Sequence, residues 1–312
     1  MRAHPAGKGT MALELLSVFV DVVVPVFAIV GLGFLLGPRL SLDARTVSRL
    51  AYYVFVPAFM FDVVSRADVP LGSALRMAGF AVLAHLLFAA LGLLVARALR
   101  RPPEVAAGYV MVAVFGNVGN FGLALVRFRY GAEGIVPATI YFIVILVTAF
   151  ATSVAAAAWV RGGGLSAVVS VFRTPALLVV PPAALVAGLD LPLPLFLTRS
   201  VGLLGDAMIP AMLFALGLQL AQTRALRLGL DVLAVSAIRL VVAPALAALL
   251  VVPFGLTGLP RAAGILQAGM PAAILVSIIA AEYRLDTGFV TAAVFYTTLL
   301  SVPTLTVLLA LL

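Results

Sequence analysis

Gly116-Asn117-Val118-Gly119-Asn120-Phe121-Gly122 places three glycines and two asparagines inside an otherwise apolar run. The run has the composition of a membrane helix, and this stretch interrupts it. Glycine weakens a helix, and an asparagine amide in hydrocarbon is costly without a partner. Interruptions at membrane depth are tolerated where the freed backbone is buried in protein or lines a water-filled cavity. The stretch therefore marks a candidate binding site.

The rest of the chain supports the membrane setting. Its 312 residues are 64% hydrophobic and 10% charged, and the mean hydropathy is +1.24, which excludes an ordinary soluble domain. A net charge of +8 would suit nucleic acid only if it formed a patch. The arginines instead lie in short gaps between apolar segments, as expected of loops facing anionic lipid, so no nucleic-acid partner is expected. There is no cysteine, and His4 and His85 are too far apart for a metal cluster, so neither metal nor cofactor is expected. Arg2, His4 and Lys8 precede an apolar run that resembles a signal peptide. That run, 15–37, is too long for one and lacks a cleavage site. Residues 1–13 read as a disordered tail, with Met11 an alternative start.

At about 20 apolar residues per span, Arg, Pro and Gly punctuation predicts ten transmembrane helices. They run over 14–37, 46–65, 72–98, 104–128, 134–160, 173–189, 194–221, 229–253, 259–282 and 287–311. Residues 161–166, opening on Arg161-Gly162-Gly163-Gly164, form a linker between halves 14–160 and 167–312. Trp159 beside it suits an interfacial anchor. The halves match at a constant offset. Val56-Pro57-Ala58-Phe59-Met60-Phe61 parallels Ile209-Pro210-Ala211-Met212-Leu213-Phe214 (210 − 57 = 153). The same offset relates Gly116 to Gly269, Tyr130 to Tyr283, Glu133 to Asp286 and Phe142 to Phe295. Five spans per half is an odd number, so the second half enters the membrane in the opposite sense, giving an all-α fold of two inverted repeats. The offset puts the counterpart of Gly116-Asn117-Val118 at Gly269-Met270-Pro271, a second break in the ninth span. The segments after the breaks are expected to open near Asn120 and Pro271. Paired breaks in inverted halves point to a transporter's midplane site.

Orientation follows from the flanking charges. One side carries Arg39, Arg45, Arg49, Arg97, Arg100, Arg101, Arg161, Arg173, Arg224, Arg227 and Arg284. The other carries Arg2, Lys8, Arg66, Arg76, Arg127, Arg129, Arg199 and Arg261. Eleven against eight favours both termini outside the cytoplasm.

These phrases together resemble the auxin efflux carrier family, whose bacterial PIN-like members include malonate permeases. The resemblance runs from residue 15 to the C-terminus and rests on GNVGNFGLAL (116–125), VFVPAFMF (54–61), QAGMPAAILVSIIAAEYRLD (267–286) and, more weakly, IRLVVAP (238–244). The chain departs from the family at Ala124, where proline is common. The resemblance implies a ten-helix secondary carrier with scaffold and transport subdomains in each half and a substrate site where the broken fourth and ninth spans cross. It implies a small organic anion, auxin- or malonate-like, as substrate. The related bile-acid sodium symporters share the architecture, which leaves a proton or sodium as coupling ion, and leaves room for a homodimer. Arginine and alanine bias suggests a bacterial cytoplasmic membrane.

The polar residues in the spans are the candidates for that site. Asn117, Gly119, Asn120, Gln267, Met270 and Pro271 lie at or beside the breaks. The alternative for the asparagines is gluing helices together. Arg239 falls mid-span in the eighth helix, where it must touch substrate or form an ion pair, for example with Asp62 or Asp206. His85 is a candidate proton carrier, weighed against a hydrogen-bonded packing role. Asp62 and Asp206, beside the two Pro-Ala motifs, are candidate proton or cation sites or plain interfacial carboxylates. An intramembrane enzyme is disfavoured, because there is no Gly-x-Ser-x-Gly or His-Glu-x-x-His, and Gly116-x-x-Gly119-x-x-Gly122 has no βαβ context. A passive channel or membrane sensor remains the competing class.

Overall fold

Prolines, glycines and arginines divide the chain into helices, as a computed structural model shows. The structure describes residues 13, 15–161, 174–222 and 227–312. The expected tail and all but the first residue of the expected linker lie outside them, apart from Leu13 of the tail. The helices are α1 (Leu15–Arg39), α2 (Ala44–Ser65), α3 (Leu71–Ala98), α4 (Pro103–Val114) and α5 (Leu123–Arg161). After them come α6 (Pro175–Gly188), α7 (Leu195–Ala221), α8 (Leu230–Leu250), α9 (Gly258–Ala268), α10 (Leu275–Glu282) and α11 (Thr287–Leu311). No strand forms among the described residues beyond one isolated bridge. Seven of these stretches are long and apolar enough to cross a membrane: α1, α2, α3, α5 with its preceding turn, α7, α8 and α11.

Proline explains the irregular turns. Widened π-type turns cover Phe19–Val23, Ala51–Phe55 and Ile238–Val242. Each contains the residue four before a proline, namely Asp21 before Pro25, Tyr53 before Pro57 and Leu240 before Pro244. A proline ring clashes with that carbonyl and offers it no N–H, and a widened turn relieves both conflicts without ending the helix. Gly131 interrupts α5 with a φ of 67°, a left-handed conformation that costs glycine little.

The helices sort into two groups. In one, α1 packs on α7, and α2 on α6 and α7. Glycine makes the first contact possible: a Cβ on Gly217 would overlap the backbone of Val30, Phe34 and Gly33. In the other group, α3, α4 and α5 pack together and meet α8, α9, α10 and α11. The outer surface stays apolar, with Leu32, Leu86, Leu203, Leu249 and Leu311 all more than half exposed. Such a surface carries no penalty in lipid and would drive aggregation in water. The molecule is thus an all-helical, multi-pass membrane protein.

Candidate functional site at the crossed breaks

Val114 ends α4 because the chain turns out of helical geometry at Phe115 (φ −97°, ψ 84°) and Asn117 (φ −79°, ψ 56°). It re-enters through a π-type turn, Val118–Gly122, which runs directly into α5. The Asn117 carbonyl accepts from Phe121 N–H and Gly122 N–H at 3.1 and 3.2 Å. The amides of Val118, Gly119 and Asn120 are those that a helix start leaves without an intrahelical acceptor.

The second break begins after Ala268, and here the chain differs from expectation. Pro271 does not open the next helix, because α10 starts only at Leu275. Residues 271–273 stay extended and pair with the first break in an antiparallel bridge between Gly116 and Ala272. Asn117 N–H donates to Pro271 O at 2.7 Å, and Ala273 N–H to Phe115 O at 2.8 Å. Ala272 N–H donates to Thr297 Oγ1 of α11 at 3.1 Å. These three bonds satisfy backbone groups that hydrocarbon would leave stranded.

Arg239 ties the two breaks together. Its side chain is fully buried, with Nε donating to Met270 O at 2.7 Å, Nη1 to Ala113 O at 2.8 Å and Nη2 to Ala268 O at 2.9 Å. These acceptors are the carbonyl ends of α4 and α9, which carry partial negative charge. The Phe88 ring lies 5.7 Å from the guanidinium carbon. The ion pair weighed for Arg239 does not form. Asp62 pairs instead with Arg66 at 2.6 Å, Asp206 is exposed, and among the described residues no carboxylate pairs with Arg239. The physical reason is that two helix C-termini already supply the negative partner.

The remaining candidates divide by place. Gly119, Gln267, Met270 and Pro271 are buried at the crossover, and Asn120 is half-buried there. Asn117 is 5% exposed, and its Nδ2 has no hydrogen-bond partner among the described residues. Gln267 lies against Gly122 and donates from Nε2 to Ala138 O at 3.3 Å, which leaves Oε1 without a partner. The crossover thus holds an unused donor and an unused acceptor, both sealed from solvent. His85 is also fully buried, with Nδ1 2.6 Å from Thr148 Oγ1 and Nε2 3.1 Å from Tyr141 Oη. The Thr148 hydroxyl donates to Val144 O, so it accepts from His85 Nδ1–H, and Nε2 faces the Tyr141 hydroxyl. Asp62 and Asp206 stand away from the crossover, near the end of α2 and at a turn within α7 that separates Leu195–Asp206 from Met208–Ala221. Asp62 lines a cavity of about 180 Å³ with Arg66, Leu191 and Thr198. Among the described residues no group of three histidine or acidic side chains is placed to hold a metal.

Thr297, Tyr141, Thr148 and Thr139, whose buried hydroxyl has no partner, are functional candidates that the sequence reading did not single out. The available signal was a hydroxyl in an apolar span, the criterion already applied to asparagine.

The model of the membrane transport protein family matches residues 18–161 and 172–309. An uncharacterized transporter of Methanothermobacter thermautotrophicus is 27% identical over 294 residues, covering 91% of this chain and 95% of that protein. Another, from Methanocaldococcus jannaschii, is 24% identical over 294 residues, covering 90% and 94%. A helical bundle with an apolar exterior, two crossed breaks and a family match along nearly its whole length is a membrane transporter by descent. The chain belongs to the membrane transport protein family, the auxin efflux carrier family that its motifs resemble.

Proposed function

We propose that the protein is a secondary active transporter that moves a small organic anion, a carboxylate, by alternating access at the crossed breaks. The observation that carries this reading is Arg239. A fully buried positive charge that no carboxylate pairs with among the described residues ties together two breaks, where Asn117 and Gln267 also have unused polar atoms. A carboxylate entering there meets a positive field, the Asn117 donor and the first amides of the Val118–Gly122 turn. Asn117, Gly119, Asn120, Gln267, Met270 and Pro271 form the substrate site in this reading, and Arg239 acts on it electrostatically. The burial of these residues favours a carrier over an open pore, since a channel requires a continuous path.

The same reading treats the fold as ten spans in two inverted five-helix repeats, with α4 and α5 as far as Gly131 forming the fourth span and α9 with α10 the ninth. Helix ends support it. Left-handed residues follow α1 and α6 at Ser41 and Asp190, and α3 and α8 at Arg100 and Gly255. They also close the segments after both breaks, at Gly131 and Arg284, which are 153 residues apart (284 − 131). The packing exchanges in the same sense: α1 lies on α7 as α6 lies on α2. Both termini are placed outside the cytoplasm by the arginine bias, and reporter fusions at Gly163 and Leu312 test that. Cytoplasmic activity at Leu312 with external activity at Gly163 reverses the orientation.

The test of function is counterflow in proteoliposomes, with a panel of labelled carboxylates and one organic cation. A carrier is expected to accumulate one carboxylate transiently against its gradient. Flux without counterflow indicates a channel, and exchange of the cation alone sinks the anion assignment.

A further inference from the structure

We propose that Arg239 is a tethered cation occupying the place where a coupling sodium ion would bind, so that the crossover works without sodium. This goes beyond the proposed function by deciding the coupling ion, and only its uptake arm rests on that function.

Broken helices in secondary carriers hold sodium through unwound carbonyls and the C-terminal ends of half-helices. Six oxygens at the breaks here already accept a hydrogen bond. Ala113 O, Ala268 O and Met270 O go to the three nitrogens of Arg239 at 2.8, 2.9 and 2.7 Å. Phe115 O accepts from Ala273 N–H, Pro271 O from Asn117 N–H, and Asn117 O from Phe121 and Gly122 N–H. A sodium ion would have to displace these donors beside a fixed positive charge. The two helix C-termini that would hold sodium are thus already taken by a cation.

They fit a guanidinium. The planar fork reaches acceptors from two separate helix ends at once, which a point charge on a lysine stem does less well. Its desolvation is offset by two helix C-termini and the Phe88 face. Gly116 completes the fit, since a Cβ there would collide with Nη2 of Arg239. A sodium ion binds and leaves with each cycle, whereas this charge is covalently part of α8. The negative ends of α4 and α9 therefore stay compensated in every state in which the three bonds persist.

The test uses the full-length protein in lipid nanodiscs and reads its thermal unfolding midpoint. A ligand that binds only the folded state raises the midpoint saturably. The unmodified protein is expected to unfold at the same temperature in sodium chloride and in choline chloride of equal ionic strength. A saturable rise with sodium overturns the proposal. Arg239→Lys is expected to lower the midpoint, and millimolar guanidinium chloride is expected to restore part of the loss in the variant while leaving the unmodified protein unchanged. A lowered midpoint that guanidinium does not raise assigns Arg239 a packing role only and overturns the proposal. If Arg239→Lys does not accumulate, the salt comparison on the unmodified protein decides. Uptake of the carboxylate that shows counterflow is expected to be equal with and without sodium. Sodium-dependent uptake sinks this inference but leaves the carrier reading standing, whereas absence of any counterflow sinks the carrier reading and leaves the midpoints to judge Arg239.

Discussion

The two breaks reach the same end by different chemistry. The first, rich in glycine and asparagine, closes partly on itself: the Asn117 carbonyl caps the turn that follows and helical geometry resumes at Val118, while Asn117 N–H and Phe115 O pair with the second break. The second, built on Gly269-Met270-Pro271, borrows its partners. Ala272 leans on Thr297, Ala273 on Phe115, and the helix does not resume until Leu275. A break that caps itself with backbone needs no side-chain cap, and Asn117 makes none; its Nδ2 donor is unused as well. A break that depends on neighbours is stable only while those neighbours are in register.

The largest expected effect separates the two glycines at the crossing. A Cβ on Gly116 would meet the Arg239 guanidinium, which is held by three bonds and has no room to yield. On Gly269 it would meet Leu308 Cδ2 at 2.6 Å, the far end of a flexible side chain. Gly116→Ala should therefore cost about 1–3 kcal/mol in overpacking plus about 1.5–3 kcal/mol for a disturbed charged hydrogen bond. Gly269→Ala should cost about 1 kcal/mol or less. Unfolding midpoints in detergent rank the pair, and equal losses would mean that Arg239 is not rigidly placed.

Thr297→Val comes next and acts on the second break alone. Losing the acceptor strands Ala272 N–H in an apolar interior, at about 1–3 kcal/mol. Hydrogen exchange should quicken at residues 270–274 and stay unchanged at 117–122. Uniform acceleration across both segments would merge the breaks into one cooperative unit.

Asn117→Ala is expected to cost little stability, because the cap is the backbone carbonyl and the Nδ2 it removes has no partner among the described residues. Binding should fall instead. A lost hydrogen bond to a charged ligand is worth about 1.5–3 kcal/mol, roughly ten- to hundredfold in affinity. Asn117→Asp should be worse for an anion and better for a cation. Unaltered binding and transport in both Asn117→Ala and Pro271→Ala would move the site away from the crossover.

The smallest effect is a control in water. Asp43 caps α2 by accepting from Arg45 and Thr46 N–H and the Thr46 hydroxyl at 2.6 Å. The Thr46 hydroxyl, then the two amides, hold its carboxyl below the ordinary carboxylate value. The contribution is therefore fully present above that ordinary value and fades as pH falls through the lowered one. Thermal midpoints should not register Asp43→Asn at neutral pH, and a large loss would show that this cap is not water-exposed.

The sequence made the first break legible because glycine and asparagine are out of place in a lipid-soluble run. The 153-residue offset carried that observation to Gly269 without any structural information. The partner of Arg239 was hidden, since it consists of backbone carbonyls from segments 126 and 29 residues away, and a carbonyl has no letter in a sequence. The late start of α10 was hidden for the same reason: proline announces the end of a helix, but pairing with Phe115 decides where the next begins. Asp62 and Asp206 looked central because they flank matching motifs, yet neither is at the crossover: Asp62 pairs with Arg66 near the end of α2, and Asp206, at a turn within α7, is exposed.

The contact of α1 with α7 through Gly33 and Gly217 also sets a schedule for biosynthesis. The two residues are separated by 184 positions (217 − 33), and ribosomes add about 5–20 residues per second. The first helix therefore spends on the order of 10–40 s in the bilayer before its partner is made, with a groove cut for a backbone that does not yet exist. A chain stopped before α7 keeps that groove open to lipid, to insertion chaperones and to membrane proteases. Ribosome-stalled intermediates should thus be degraded fastest when they end just short of residue 217.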